Sequence, residues 1–187
     1  MRKALVVFVL LSAGGGTVLA DDDAARLKGR AAAAALNETL VARMTRSLRD
    51  SGPEGAMSVC AWQARALADE VGQREGVTVK RTSLRLRNPA NGPDAYEKEL
   101  LARLAARARA GDLPDESLDE RRENGRAVYR YARPLVVGAL CLTCHGRPAE
   151  IPAEVRKMLD NRYPEDTATG YAEGELRGIV SVVIPAQ

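Results

Sequence analysis

Val77-Thr78-Val79-Lys80-Arg81-Thr82-Ser83-Leu84-Arg85-Leu86 is where the sequence changes its period. Its apolar residues alternate as in a strand, and the phase slips between Val79 and Leu84, which predicts a bulge or bend. Everything just before it has helical spacing. In residues 24–50, Leu27, Ala31, Ala34, Ala35, Leu36, Leu40, Met44 and Leu48 recur at three- and four-residue steps, so a helix is predicted there. Ser51-Gly52-Pro53 predicts its end. A second helix is predicted from Glu54 to Gln73, with Ala56, Val59, Cys60, Ala64, Leu67 and Val71 as its apolar stripe. On that stripe Cys60 points inward, and the neighbouring Trp62 reads as core packing.

Downstream, Arg87-Asn88-Pro89-Ala90-Asn91-Gly92-Pro93 is a loop by its turn residues. Asp94 with Glu97 three residues later predicts a capped third helix, with Leu100, Leu101, Leu104, Ala105 and Ala108 on its apolar face. Residues 111–124 read as a charged linker. Ala127 to Val137 reads as a strand interrupted at Pro134, residues 153–160 as a short helix, and Arg177 to Ile184 as a closing strand. Helices, strand, helix, strand and strand in that order predict an α+β fold with an antiparallel sheet.

Residues 1–20 read as a secretory leader. Arg2 and Lys3 precede the apolar run Ala4–Leu11, and Val18 and Ala20 suit the −3 and −1 positions of a cleavage site. The apolar run is shorter than the roughly 20 residues of a membrane-spanning helix and is followed by Gly14-Gly15-Gly16. The expected organisation is a cleaved leader, 1–20, and one domain, 21–187, exported to the periplasm with no stable membrane insertion afterwards. Without Arg2 and Lys3 the 28 basic residues become 26 against 25 acidic ones, a net +1. That balance gives no reason to expect a nucleic-acid partner.

Cys141-Leu142-Thr143-Cys144-His145 is C-x-x-C-H, the signature of c-type haem attachment. Each thiol adds across one haem vinyl group, and the adjacent His coordinates the iron. It is the only His in the chain. A Cys141–Cys144 disulfide or dithiol also fits C-x-x-C, but the flanks lack the strand-to-helix entry of thioredoxin-like sites. A Cys₃His zinc site would need the neighbours Cys144 and His145 to converge on one tetrahedral ion.

Two thioethers leave Cys60 over. A buried small hydrophobe is its plainest reading. An iron held by His145 needs something on its other side, and Cys60, Met44, Met57, Met158, a lysine, water or an open site all satisfy the residue pattern. Arg81, Arg85 and Arg87 are candidates for the haem propionates through charge-assisted hydrogen bonds.

Beyond the pentapeptide, four blocks stand in order: Ala56-Met57-Ser58-Val59-Cys60; Arg81-Thr82-Ser83-Leu84 with Arg87-Asn88-Pro89-Ala90-Asn91; Cys141 to Gly146; and Tyr163-Pro164-Glu165-Asp166-Thr167-Ala168-Thr169-Gly170-Tyr171 with Gly174-Glu175 and Arg177-Gly178. Together they resemble a family of single-haem c-type cytochromes with a PAS-like sensor fold, over about residues 30–185. The resemblance implies an antiparallel sheet with long N-terminal helices, and an iron held by His145 and the Cys60 thiolate. Two residues depart from the family's pattern: Glu175 stands where Asp is expected, and Tyr96 where Trp is expected.

Such a thiolate would lower the potential, whereas Met would raise it. Two protein ligands leave no vacant position, so an enzyme is not expected. Two roles remain. One is a redox protein with a partner protein as donor or acceptor. The other is a haem-based redox or gas sensor, which would need a separate signalling partner because the sequence ends at Gln187 without an output domain. The leader carries a direct test: the mature protein should begin at Asp21 and fractionate outside the cytoplasm. An intact Met1 on a cytoplasmic protein would remove the basis for haem attachment as well, since attachment follows export.

Overall fold

The computed structural model describes residues 16–186, with side chains from Asp21 onward. The expected leader lies outside the described residues, apart from the backbone of Gly16–Ala20. The first helical run, α1, spans Gly16–Ser58 and is broken in its backbone at Ser51 and Gly52, where φ and ψ are −140° and 17°, then 64° and −162°. The expected stop is therefore a kink. Five residues of π-helix follow, Val59–Gln63, and then α2, Ala64–Glu75. Strand β1 is Thr78–Thr82, shorter than expected, because the chain bends away at Ser83 where the apolar phase slips.

Helix α3, Ala95–Arg109, begins with the expected capping box: the Asp94 side chain accepts from the Glu97 backbone N–H, and the Glu97 side chain accepts from the Asp94 N–H. Strands β2 (Ser117–Glu123), β3 (Arg126–Val136) and β4 (Leu176–Pro185) complete an antiparallel sheet in the order β1-β4-β3-β2. Helices α4 (Leu142–His145) and α5 (Ala153–Arg162) lie between β3 and β4.

The charged linker expected over 111–124 is in part strand β2. Its missed signal is Asn124-Gly125, both in the left-handed region at φ 51° and 78°, the pair that a two-residue hairpin turn favours. Edge position explains the composition, since charged side chains suit a strand with one unpaired side. Pro134 does not interrupt β3. It lies beyond Ala132, which pairs with the first residue of β2, so no ladder bond on that side is lost.

Helices α1 and α2 cover one face of the sheet, burying Leu36, Leu40, Leu67 and Val71 against Tyr129, Tyr131, Val180, Val182 and Ile184. On the opposite face, Leu100, Leu101 and Leu104 of α3 pack on Ala132 and Ile179. The buried stripe of α1 differs from the expected one: Leu27 is 64% exposed, and Ala25, Ala32, Ala33, Leu36 and Leu40 are buried. Gly29 marks the true face. A Cβ there would lie 2.3 Å from Cγ of Tyr131, so α1 can approach this closely only with glycine at 29.

Glu116, just before β2, holds α1 to the sheet. It accepts from Arg26 at 3.0 Å, from Arg30 at 2.6 and 2.7 Å, and from the Tyr131 hydroxyl at 3.0 Å. Arg30 first, then Arg26 and Tyr131, pull its carboxyl down to about 2 from 4.5 against the opposing effect of burial. A carboxyl lowered in the folded state stabilises fully above pH 4.5, and the gain is lost as pH falls through 2. Glu116→Gln should cost ~1–2 kcal/mol at pH 7, after discounting for solvent screening. It should also flatten the fall in stability between pH 5 and 2, measured by urea unfolding across that range.

Candidate functional site

At the end of the helix-covered sheet face, beyond the α1–α2 core, lies a cavity of about 290 Å³. Cys60, Arg81, Arg87, His145, Tyr163 and Arg177 are among its lining residues. Residues far apart in sequence meet here because β1 ends at Thr82, β3 at Val136, and the chain between β3 and β4 folds back over both ends.

His145 ends α4, a single turn that continues from a 3₁₀ turn, Ala139–Cys141. Two backbone bonds tie it to the segment before β4: Tyr171 N–H donates to the His145 carbonyl at 2.9 Å, and Gly170 N–H donates to the Gly146 carbonyl at 2.6 Å. The same segment fixes the ring. Nδ1 lies 2.6 Å from the Ala168 carbonyl, so Nδ1 carries the proton and Nε2 the free lone pair. Burial, then the charges of Arg87, Arg177 and Arg81, push the His145 pKa down to about 3, with the Ala168 carbonyl opposing them. The imidazole is neutral at physiological pH, the form that binds metals.

Cys60 does not sit in the core as its stripe predicts. It is exposed and lines the cavity, while Val59 beside it is buried. The π-turn is the cause, since its extra residue shifts the phase of the α-helical stripe. Trp62 leaves the core by the same shift: it is 67% exposed, with the Arg162 guanidinium 4.2 Å from its ring centroid.

Cys141 and Cys144 stand on the short turns that end at His145 and are not among the cavity's lining residues. Cys141 packs with Val137, Ala168 and Tyr171, and Cys144 with Ile151, Val155, Leu159 and Tyr163. Burial pushes the Cys144 thiol up; Arg87 lowers it, and nearby Cys60 and Cys141 raise it. No two of the cysteines are joined in a disulfide. Among the described residues, no group of three or more His, Cys, Asp and Glu is arranged to hold a metal ion, against the zinc alternative. Met44, Met57 and Met158 do not line the cavity, and the last two pack around α5.

The arginines divide by use. Arg87 lines the cavity and is engaged on two of its three nitrogens: Nε donates to Asp166 at 2.8 Å and a terminal nitrogen to the Cys144 carbonyl at 2.6 Å. Arg85 does not line it. Its Nε donates to the Thr167 carbonyl at 3.0 Å, a terminal nitrogen donates to the Thr169 carbonyl, and its guanidinium lies 4.1 Å from the Tyr171 ring centroid. Arg81 and Arg177 each keep a buried Nε without a partner. Sequence reading gave Arg177, Asp166 and the Ala168 carbonyl no role of their own, although all three lie in the fourth block of the family resemblance.

A neutral imidazole with Nδ1 tied, a thiol on the same cavity, two more thiols on the turns before that imidazole and a cationic wall form a donor set that fits a haem. Comparison with known proteins agrees with that arrangement. The family model described as Tll0287-like, Tll0287, matches residues 21–185. The chain belongs to the Tll0287-like family. Among solved structures it is similar to the crystal structure of the cyanobacterial heme-protein Tll0287, at 23% identity and a TM-score of 0.61, covering 81% of this chain and 91% of that one. That likeness is one of fold, the α+β arrangement expected as PAS-like. No curated protein matches the chain. The two departures noted in sequence fall away from the cavity. The Tyr96 hydroxyl donates to Asp119 at 2.7 Å, and the Glu175 carboxylate accepts from the Ala172 N–H at 3.0 Å.

The Arg87 clamp gives the site its test. Arg87 and Asp166 side chains are only 11% and 8% exposed. Removing one partner leaves the other charge buried and alone, so Arg87→Ala should destabilise the protein by about 3 kcal/mol in urea unfolding. Arg103→Ala, which touches only the exposed Asp119 at 3.8 Å, should change stability by less than about 1 kcal/mol.

Proposed function

We propose that the chain is an exported protein carrying one covalently attached c-type haem and that it works in electron transfer or redox response rather than as an enzyme. The observation that carries this reading is the C-x-x-C-H segment, whose His145 shares a cavity with the remaining thiol, Cys60. The name of the solved relative, a heme-protein, supports it. The leader expected in residues 1–20 supports export to the periplasm.

When bound, the group supplies a one-electron ferric–ferrous couple. The residues have separate tasks. The thiols of Cys141 and Cys144 would hold the group covalently, each by one C–S bond to a vinyl carbon, with the thiol hydrogen going to the vinyl's other carbon. His145, kept in the Nδ1–H tautomer by the Ala168 carbonyl, would offer Nε2 to the iron. Cys60 would offer its sulfur, and a thiolate there would favour the ferric state and a low potential. Two such protein donors would leave small molecules no open site.

A haem-based sensor acting through a separate partner is the second reading, and the π-turn supports it. Cys60 stands on a helix segment carrying one extra residue, a feature often found at functional sites. Loss of Cys60 on reduction, or binding of carbon monoxide or nitric oxide to ferrous protein, would favour sensing. Fast electron exchange with unchanged ligands would favour transfer.

Protein matured with a c-type haem assembly system should keep its haem through acid-acetone extraction and denaturing electrophoresis. Haem that washes out, or stoichiometric zinc in place of iron, would refute the reading. Cys60→Ala should keep the covalent haem but convert a low-spin ferric spectrum to high-spin and admit small ligands. A variant with the wild-type spectrum and potential would reduce Cys60 to packing.

A further inference from the structure

A regular strand would send Arg177 to the α3 face, beside Ile179 and Ser181. It does not go there. The β3–β4 register runs Leu135↔Gly178 and then Val136↔Leu176, so Arg177 is the extra residue of a β-bulge. Bulges re-aim side chains next to functional sites. This one turns Arg177 to the cavity, close enough to His145 for its charge to bear on that ring. One terminal nitrogen donates to the Arg85 carbonyl at 3.1 Å, and Nε is buried without a partner.

Arg81 reaches the same cavity from β1, where it pairs with Val180 on the helix-covered face. Its Nε is also buried and unpartnered, and no carboxylate pairs with it among the described residues. The contrast with Arg130 is informative. Arg130 has an unpartnered Nε too, but its terminal nitrogens meet Asp94, Glu97 and Glu123. Arg81 and Arg177, with Arg87 nearby, form a wall of like charge in a partly buried place; one carboxylate, Asp69, is among the lining residues, and Asp166 is taken by Arg87. Such a wall is costly unless an anion completes it.

We infer that Arg81 and Arg177 are the anion-binding pair of this cavity and that they receive the propionate carboxylates of the haem. This rests on the haem reading above. Propionates occupy the edge of the macrocycle away from the vinyls. The thiols that would take the vinyls pack around α5 and the 163–171 segment, whereas Arg81 and Arg177 stand on β1 and β4. Arginine's planar fork suits a carboxylate bidentately. Arg85 and Arg87, which read equally well as propionate partners in sequence, are held by other groups.

The test uses the mature holoprotein with ¹³C-labelled haem carboxyls. In the unmodified protein, redox-difference infrared spectra at pH 6 should show both propionates as carboxylates; a protonated acid band at pH 6 overturns the assignment. Arg177→Gln and Arg81→Gln should keep the covalent haem, shift the labelled carboxylate bands and lower the reduction potential. Arg177→Lys should restore part of the potential but not the bidentate band position. Haem that stays attached with unmoved bands and potential in both Gln variants overturns the pair while leaving the haem reading intact. A wild-type protein that takes up no haem refutes the haem reading itself.

Discussion

The Arg87 guanidinium is the fastening on which the site depends. It lies nearly buried between three segments and bonds to two of them from the third: from the loop after β1 it reaches the Cys144 carbonyl and Asp166 ahead of β4. Asp166 in turn accepts from the Ala168 N–H at 2.7 Å, and the Ala168 carbonyl holds the His145 ring. One cation thus sets, through two short steps, the tautomer of the only histidine. Each link of that chain is a hydrogen bond of 2.6 to 2.8 Å, and partly satisfied buried networks are the costly ones.

Most of the fold was legible where local chemistry decides it. The capping box of α3, the short α5 and the apolar β4 are spelled by adjacent residues. What escaped were features set by packing. An all-apolar Ala31–Ala35 run cannot say which of its residues faces the sheet, and the answer came from Gly29 against Tyr131. Charges hid β2, because the period-2 signal fails where both faces of an edge strand are polar. At the site, residue type and count single out Cys141, Cys144 and His145 and leave Cys60 as one candidate among several. The π-turn that brings Cys60 to the cavity was not, since its sequence repeats the helical stripe without a break.

The chain uses buried arginine in two ways. Arg130 is enclosed by acids of its own fold and belongs to the packing of α3 against the sheet, where Glu97, 1% exposed, also meets Lys80 at 2.8 Å. At the cavity the acids are fewer than the bases, and positive charge is left over beside a neutral imidazole. Positive charge beside an iron centre favours its reduced form, in opposition to a thiolate ligand. With the proposed haem in the cavity, the two influences would come from different elements, so strand β4 and the π-turn could be altered separately.

Strand order also bears on timing. Strand β4 is the last in sequence yet sits between β1 and β3, which touch only through it. Before β4 arrives the sheet is a lone β2–β3 hairpin, and the Gly170–Tyr171 strap that closes over His145 has no anchor. Cys141 and Cys144 precede β4 in sequence. Topology therefore leaves those thiols more open before the sheet closes than after it, when they are half-buried.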